Sequence, residues 1–123
     1  MTGAGDVLNK ASRWDEASLG PMTLESIRRL FRPESHYRVS RNTYPAGVSF
    51  NGWSAARRLY VITGACTISV TETSWELFTG DVIDLPESDF RFTVAAGSPV
   101  ELVSVWELPE SIWPSPPNAQ GAV

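Results

Sequence analysis

The sequence predicts an all-β domain built as a sandwich or closed barrel of about eight short strands. From His36 onward, short runs rich in Val, Ile, Thr, Tyr, Phe and Trp replace any helical period. These runs are separated by the turn-forming clusters Pro45-Ala46-Gly47, Gly64-Ala65, Thr79-Gly80-Asp81, Pro86-Glu87-Ser88 and Ala96-Gly97-Ser98-Pro99. The chain has 123 residues, 42% of them hydrophobic, which suits one core rather than two.

Taken in order, residues 1–35 form an N-terminal helical extension. Val7, Leu8, Ala11 and Trp14 suggest a short first helix. A second begins at the capping residue Thr23, carries Leu24, Ile27, Leu30 and Phe31 at helical spacing, and stops at Pro33. It is expected to pack on the outside of the barrel. Strands are expected near 36–44, 48–53, 57–63, 66–71, 75–78, 82–85, 90–95 and 100–108, so the barrel spans 36–108. The tail, 109–123, contains Pro109, Pro114, Pro116 and Pro117, which remove backbone donors and disfavour helix and central strand alike. Ile112 and Trp113 could dock its first part on the barrel or a neighbouring subunit.

Composition excludes several classes of partner. Ten Lys plus Arg against fourteen Asp plus Glu give a net charge of −4, the wrong sign for tracking a phosphate backbone, so no nucleic acid is expected. No apolar run approaches the roughly 20 residues of a membrane span. Cys66 has no partner for an internal disulfide, and Met1 to Lys10 lacks a basic stretch followed by an apolar run, which together point to the cytoplasm.

Two motifs carry a resemblance. Leu59-Tyr60-Val61-Ile62-Thr63-Gly64 is followed, after a short spacer, by Gly80-Asp81-Val82-Ile83-Asp84-Leu85-Pro86-Glu87-Ser88. Together they resemble the paired motifs of the cupin superfamily, over roughly residues 36–108. In the first motif a strand ends at a turning glycine; in the second a Gly-Asp turn leads through apolar residues to a proline. Gly64, Gly80 and Pro86 match those positions, while Ser88 replaces the usual glycine. The resemblance implies a jelly-roll barrel and a homodimer.

The departures bear on function. Counting from the motif positions, the family's first-motif glutamate falls at Arg57, its His-x-His pair at Asn51 and Trp53, and the second-motif histidine at Arg91. A guanidinium donates hydrogen bonds and repels a cation, so no metal and no cofactor are expected. His36, the sole histidine, lies outside both motifs and reads as an ordinary strand-start residue.

If position 57 faces the lumen, Leu59 and Val61 share its face while Arg58 and Tyr60 point away. By the same placement Arg91 points inward with Thr93, and Phe90 and Phe92 point away. Arg57 and Arg91 would then converge with Asn51 and Trp53 near one mouth, with Tyr44 supplying a hydroxyl. Such a site suits a small organic anion held by planar guanidinium groups against an aromatic wall. Alternatively, the arginines pair with acidic neighbours such as Asp84, Asp89 or Glu107, or reach solvent at the rim. Trp53, Trp75 and Trp106 read first as core or interface residues, and Cys66 as a buried structural thiol.

Two functions fit. One is a metal-independent protein that binds a small-molecule ligand and catalyses isomerisation, cyclisation or elimination. In it, Arg57 and Arg91 stabilise negative charge and Asp84 or Glu107 acts as base. The other is a non-catalytic binding, sensing or dimerisation module.

Overall fold

The computed structural model describes residues 7–9, 11–71 and 73–112. Two five-stranded sheets face one another. All eight expected strands are present: β3 (Tyr37–Tyr44), β4 (Ser49–Ser54), β5 (Arg57–Thr63), β6 (Ala65–Val70), β7 (Thr73–Phe78), β8 (Asp81–Leu85), β9 (Ser88–Val94) and β10 (Val100–Glu107). Two short strands precede them, β1 (Val7–Asn9) and β2 (Ser12–Arg13). One sheet has the order β1-β7-β6-β9-β4 and the other β2-β8-β5-β10-β3.

The first helix expected around Val7 to Trp14 is therefore replaced by strand. Val7–Asn9 pairs in parallel with Thr73–Trp75, and Ser12 and Arg13 pair with Val82 and Asp81. Two open sheet edges offer unpaired backbone groups, and satisfying these outweighs the weak helical period of so short a segment. Helix α1 spans Glu16–Leu19 and α2 spans Leu24–Arg28. As expected, α2 starts at Thr23, whose hydroxyl accepts from Ser26 N at 3.0 Å while Ser26 Oγ accepts from Thr23 N at 2.8 Å. In the tail, Glu110–Ile112 form a turn of 3-10 helix. The expectation for Trp113 and beyond lies outside the described residues.

Strand alternation sorts the β5 sheet into two buried faces. Its inner face joins the other sheet in the main core, where Leu59, Val61, Ile83, Leu85 and Leu102 meet Cys66, Ile68, Trp75, Leu77, Phe92 and Val94. Its outer face carries Tyr60, Val103 and Val105, and these are covered by Ile27 of α2 together with Trp14, Met22, Leu24 and Phe31. Ile27 is wholly buried, so this single side chain contributes about 2 kcal/mol of apolar burial to holding the N-terminal segment in place.

The motif glycines form tight turns. Gly64 has φ +93°, and a Cβ there would lie 2.4 Å from the Pro99 carbonyl oxygen and 2.8 Å from Val100 Cα. Gly80 has φ +92° and faces the guanidinium of Arg13. Asp81 completes this second turn: its carboxylate accepts from Phe78 N at 2.8 Å and from Arg13 at 2.6 Å. The obstacle at Gly64 is backbone and that at Gly80 is the end of a flexible side chain. Gly64→Ala should therefore lower unfolding free energy by roughly 3 kcal/mol and Gly80→Ala by about 1–2 kcal/mol. Paired urea melts check that order.

Candidate functional site at the barrel mouth

A cavity of about 100 Å³ opens between the sheets. Its floor is apolar, formed by Leu59, Ile68, Leu85, Phe92 and Leu102, all buried. Tyr44, Phe50 and Phe90 form an aromatic wall, in which the Tyr44 ring lies 5.6 Å from Phe50 and 5.1 Å from Phe92. The polar lining comes from Arg57, the Tyr44 hydroxyl, Ser54 and Ser104, with the 60% exposed Trp53 at the rim. Among the described residues no carboxylate lines the cavity.

Arg57 reaches this position because β5 alternates as expected, with Arg57, Leu59 and Val61 inward and Arg58 outward. Its guanidinium carbon lies 4.4 Å from the centre of the Trp106 ring, and its Nε donates to the Ala55 carbonyl at 3.4 Å. Burial pulls the Arg57 pKa below that of a free guanidinium, partly opposed by the Tyr44 phenol. The group remains a cation at neutral pH. Trp106, first read as core or interface, is thus the stacking platform that fixes this arginine. The sequence signal for it was its place beside Glu107 at the end of β10, in line with inward-facing Leu102 and Ser104.

Four of the expected site residues, Arg91, Asn51, Asp84 and Glu107, separate from Arg57. Arg91 points outward, because Phe90, Phe92 and Val94 carry the apolar phase of β9 and turn into the barrel. Burying two phenylalanines at the cost of exposing an arginine is the favourable choice, and it reverses the orientation expected for all three. Asn51 lies opposite Arg91 in the strand register and is exposed with it. Both line a shallow depression on the outer surface with Ser69 and Asp89. Asp84 is also outside. Its two carboxylate oxygens accept from Arg58 Nε at 2.8 Å and from an Arg58 terminal nitrogen at 3.2 Å. Glu107 is exposed at the end of β10, in the phase of Val103 and Val105 rather than of the lumen. Neither carboxylate lines the cavity, so neither is placed to act as a base there.

Among the described residues no group of three or more His, Cys, Asp or Glu could hold an ion. The cavity itself offers a guanidinium, hydroxyls and rings, which do not fit a divalent transition metal. His36 ends the 3-10 turn before β3, and its carbonyl accepts from Leu108 N at 2.8 Å.

With this geometry the chain has the cupin jelly-roll fold. It is similar to a cupin protein from Bacteroides fragilis, with a TM-score of 0.50 and 22% identity over 66% of this chain and 73% of that one. The cupin domain of Cnp3 from Schizosaccharomyces pombe aligns with a TM-score of 0.51 at 15% identity, over 64% of this chain and 57% of that one. DMSP lyase DddQ from Ruegeria pomeroyi aligns with a TM-score of 0.52 at 16% identity, over 62% of this chain but 40% of that one. No protein-family model and no curated protein matches the sequence. Among the described residues no helix is long and apolar enough to cross a membrane.

Cys66 behaves as the sequence suggests. It is buried in the main core, and desolvation, aided by the Asp81 charge, pushes its thiol up to about 12. The unfolded chain ionises this thiol near pH 9 while the folded chain keeps it protonated. Stability linked to Cys66 is therefore full below pH 9 and falls between pH 9 and about 12, by up to about 1.4 kcal/mol per pH unit. Denaturant melts over that range should fall less steeply for Cys66→Ala than for the wild type.

Proposed function

We propose that the barrel is a binding module for a small organic anion, with the carboxylate or an equivalent group on Arg57 and the carbon skeleton against Phe50, Phe90 and Phe92. The observation that carries this reading is a half-buried arginine facing a cavity with an apolar floor that no carboxylate of the described residues lines. Buried cations are ordinarily paired. Asp81, Asp84, Glu25, Glu34 and Glu101 pair with Arg13, Arg58, Arg29, Arg32 and Arg41 instead. An anion entering the mouth supplies the missing counter-charge and a planar partner for the guanidinium fork. Tyr44 and Ser104 add hydroxyls, and Trp53 flanks the entrance.

The volume limits what fits. At about 100 Å³ the cavity is well below the several hundred Å³ of a drug-sized site. It suits a molecule of a few heavy atoms, or one end of a longer one. Among the described residues no carboxylate or imidazole lines the cavity to move a proton, which favours binding over the isomerisation or elimination chemistry of the first hypothesis. The similarity to DMSP lyase DddQ supports a small-molecule pocket in this fold and carries no substrate with it.

Butyrate is a suitable probe. Titration followed by amide chemical shifts should place the response on residues around Arg57, Tyr44 and Phe92. Binding in the millimolar range is expected, about −4 kcal/mol, and Arg57→Gln should weaken it at least tenfold with an unchanged thermal melt. Unaltered affinity in Arg57→Gln would sink the proposal.

A further inference from the structure

One ring of the aromatic wall stands apart from the others. Tyr44, Phe50 and Phe92 form a closed triad, with Phe50 and Phe92 5.3 Å apart. Phe90 meets this triad edge-on through Phe50, at 6.3 Å. It is half-buried, whereas Phe92 is 3% exposed.

The room for the Phe90 ring comes from a missing side chain. Gly52 is its register partner on the edge strand β4 and faces the same way as Phe50 and Ser54, which line the cavity. A Cβ at position 52 would lie 2.8 Å from Phe90 Cζ and 3.2 Å from its Cε2. The far edge of the ring therefore rests on bare backbone, as an aromatic side chain does when it covers a glycine in an edge strand. Gly52 is not among the glycines with positive φ, so alanine fits its backbone and the added methyl acts on the ring. On the other side of β9, the pairing with β6 ends at Ser69 and Arg91, one residue short of Phe90.

Size then decides what the wall admits. A cavity of roughly 150 Å³ takes benzene, with six heavy atoms, so about 100 Å³ has room for about four. With the carboxylate on Arg57 and the chain directed inward, that space holds a tail of about three or four carbons. The floor residues Leu59, Ile68, Leu85 and Leu102 belong to the packed core and do not yield. Phe90 is the lining group that a single methyl on its neighbour would displace, toward the opposite sheet and into the cavity.

Resting on the anion-binding reading of Arg57, we propose that Phe90, seated on Gly52, is the specificity-determining residue of the site. It restricts the ligand to short-chain monocarboxylates of about four or five carbons.

The unbranched acids from propionate to octanoate, titrated by amide chemical shifts, are the probes. In the wild type each added CH₂ should tighten binding about fourfold as far as pentanoate, and hexanoate should bind no better than pentanoate. Phe90→Ala should move this break to hexanoate or beyond. Gly52→Ala should move it back, so that butyrate binds no better than propionate, while propionate stays within about twofold of its wild-type affinity. The two substitutions shift the break in opposite directions, which general loosening of the barrel does not reproduce. Phe90→Leu, a smaller truncation expected to shift it the same way as Phe90→Ala, takes that variant's place if thermal melts show it unfolded. An even climb to octanoate in the wild type, or a break that either the Phe90 variant or Gly52→Ala leaves in place, overturns the role of Phe90 and leaves that of Arg57 standing. Butyrate affinity that Arg57→Gln leaves intact overturns the underlying anion site instead. Binding of none of these acids to the wild type overturns both.

Discussion

The burial of one sheet on both faces is the constraint on which the molecule depends. Along β5, Leu59 and Val61 enter the inter-sheet core while Tyr60 enters the layer beneath α2. With both faces committed, the strand has no register in which Arg57 and Arg58 exchange sides without burying the wrong residues on each face. Arg58 is held outside by Asp84, its register partner on β8. Arg57 is held inside, with the Trp106 ring as its support. The position of the candidate site thus follows from how the N-terminal segment clads the barrel.

This cladding leaves one polar atom unsatisfied. The Tyr60 hydroxyl is buried without a hydrogen-bond partner among the described residues, and burial raises its pKa despite the opposing influence of nearby Arg58. Trp14 and Phe31 pack edge-on against the Tyr60 ring, with centroids 5.9 and 6.5 Å away. The ring's packing offsets the cost of the orphaned hydroxyl, as large aromatic burial can against a single lost hydrogen bond.

Much of the fold was legible because its signals are local. Strand-forming runs, turn clusters and the motif glycines Gly64 and Gly80, both at positive φ, can each be read within a few residues. The site was half legible. Arg57 and Tyr44 line the cavity as expected, because β5 keeps the phase set by Leu59 and Val61. Arg91 does not, and the signal against it was present: Phe90, Phe92 and Val94 alternate with Asp89, Arg91 and Thr93, an apolar row against a polar one. Counting from a family position overrode that alternation. The Trp106 support of Arg57 was beyond reach, since it runs across the pairing of β5 with β10, a non-local contact that no short window reveals. The strands at Val7–Asn9 and Ser12–Arg13 escaped for the same reason, as their structure comes from the edges they complete.

Those two small strands have a mechanical consequence. Residues 7–9 extend one sheet and residues 12–13 the other, so a few consecutive residues stitch the two layers together along one side, as a spine binds the covers of a book. On the opposite side β3 and β4 are the free edges, joined by the Pro45–Val48 link and by the contact of Tyr44 with Phe50. Breathing that widens the interior is therefore concentrated at the unbound margin, and the Tyr44 and Phe50 rings are the pages that must part first.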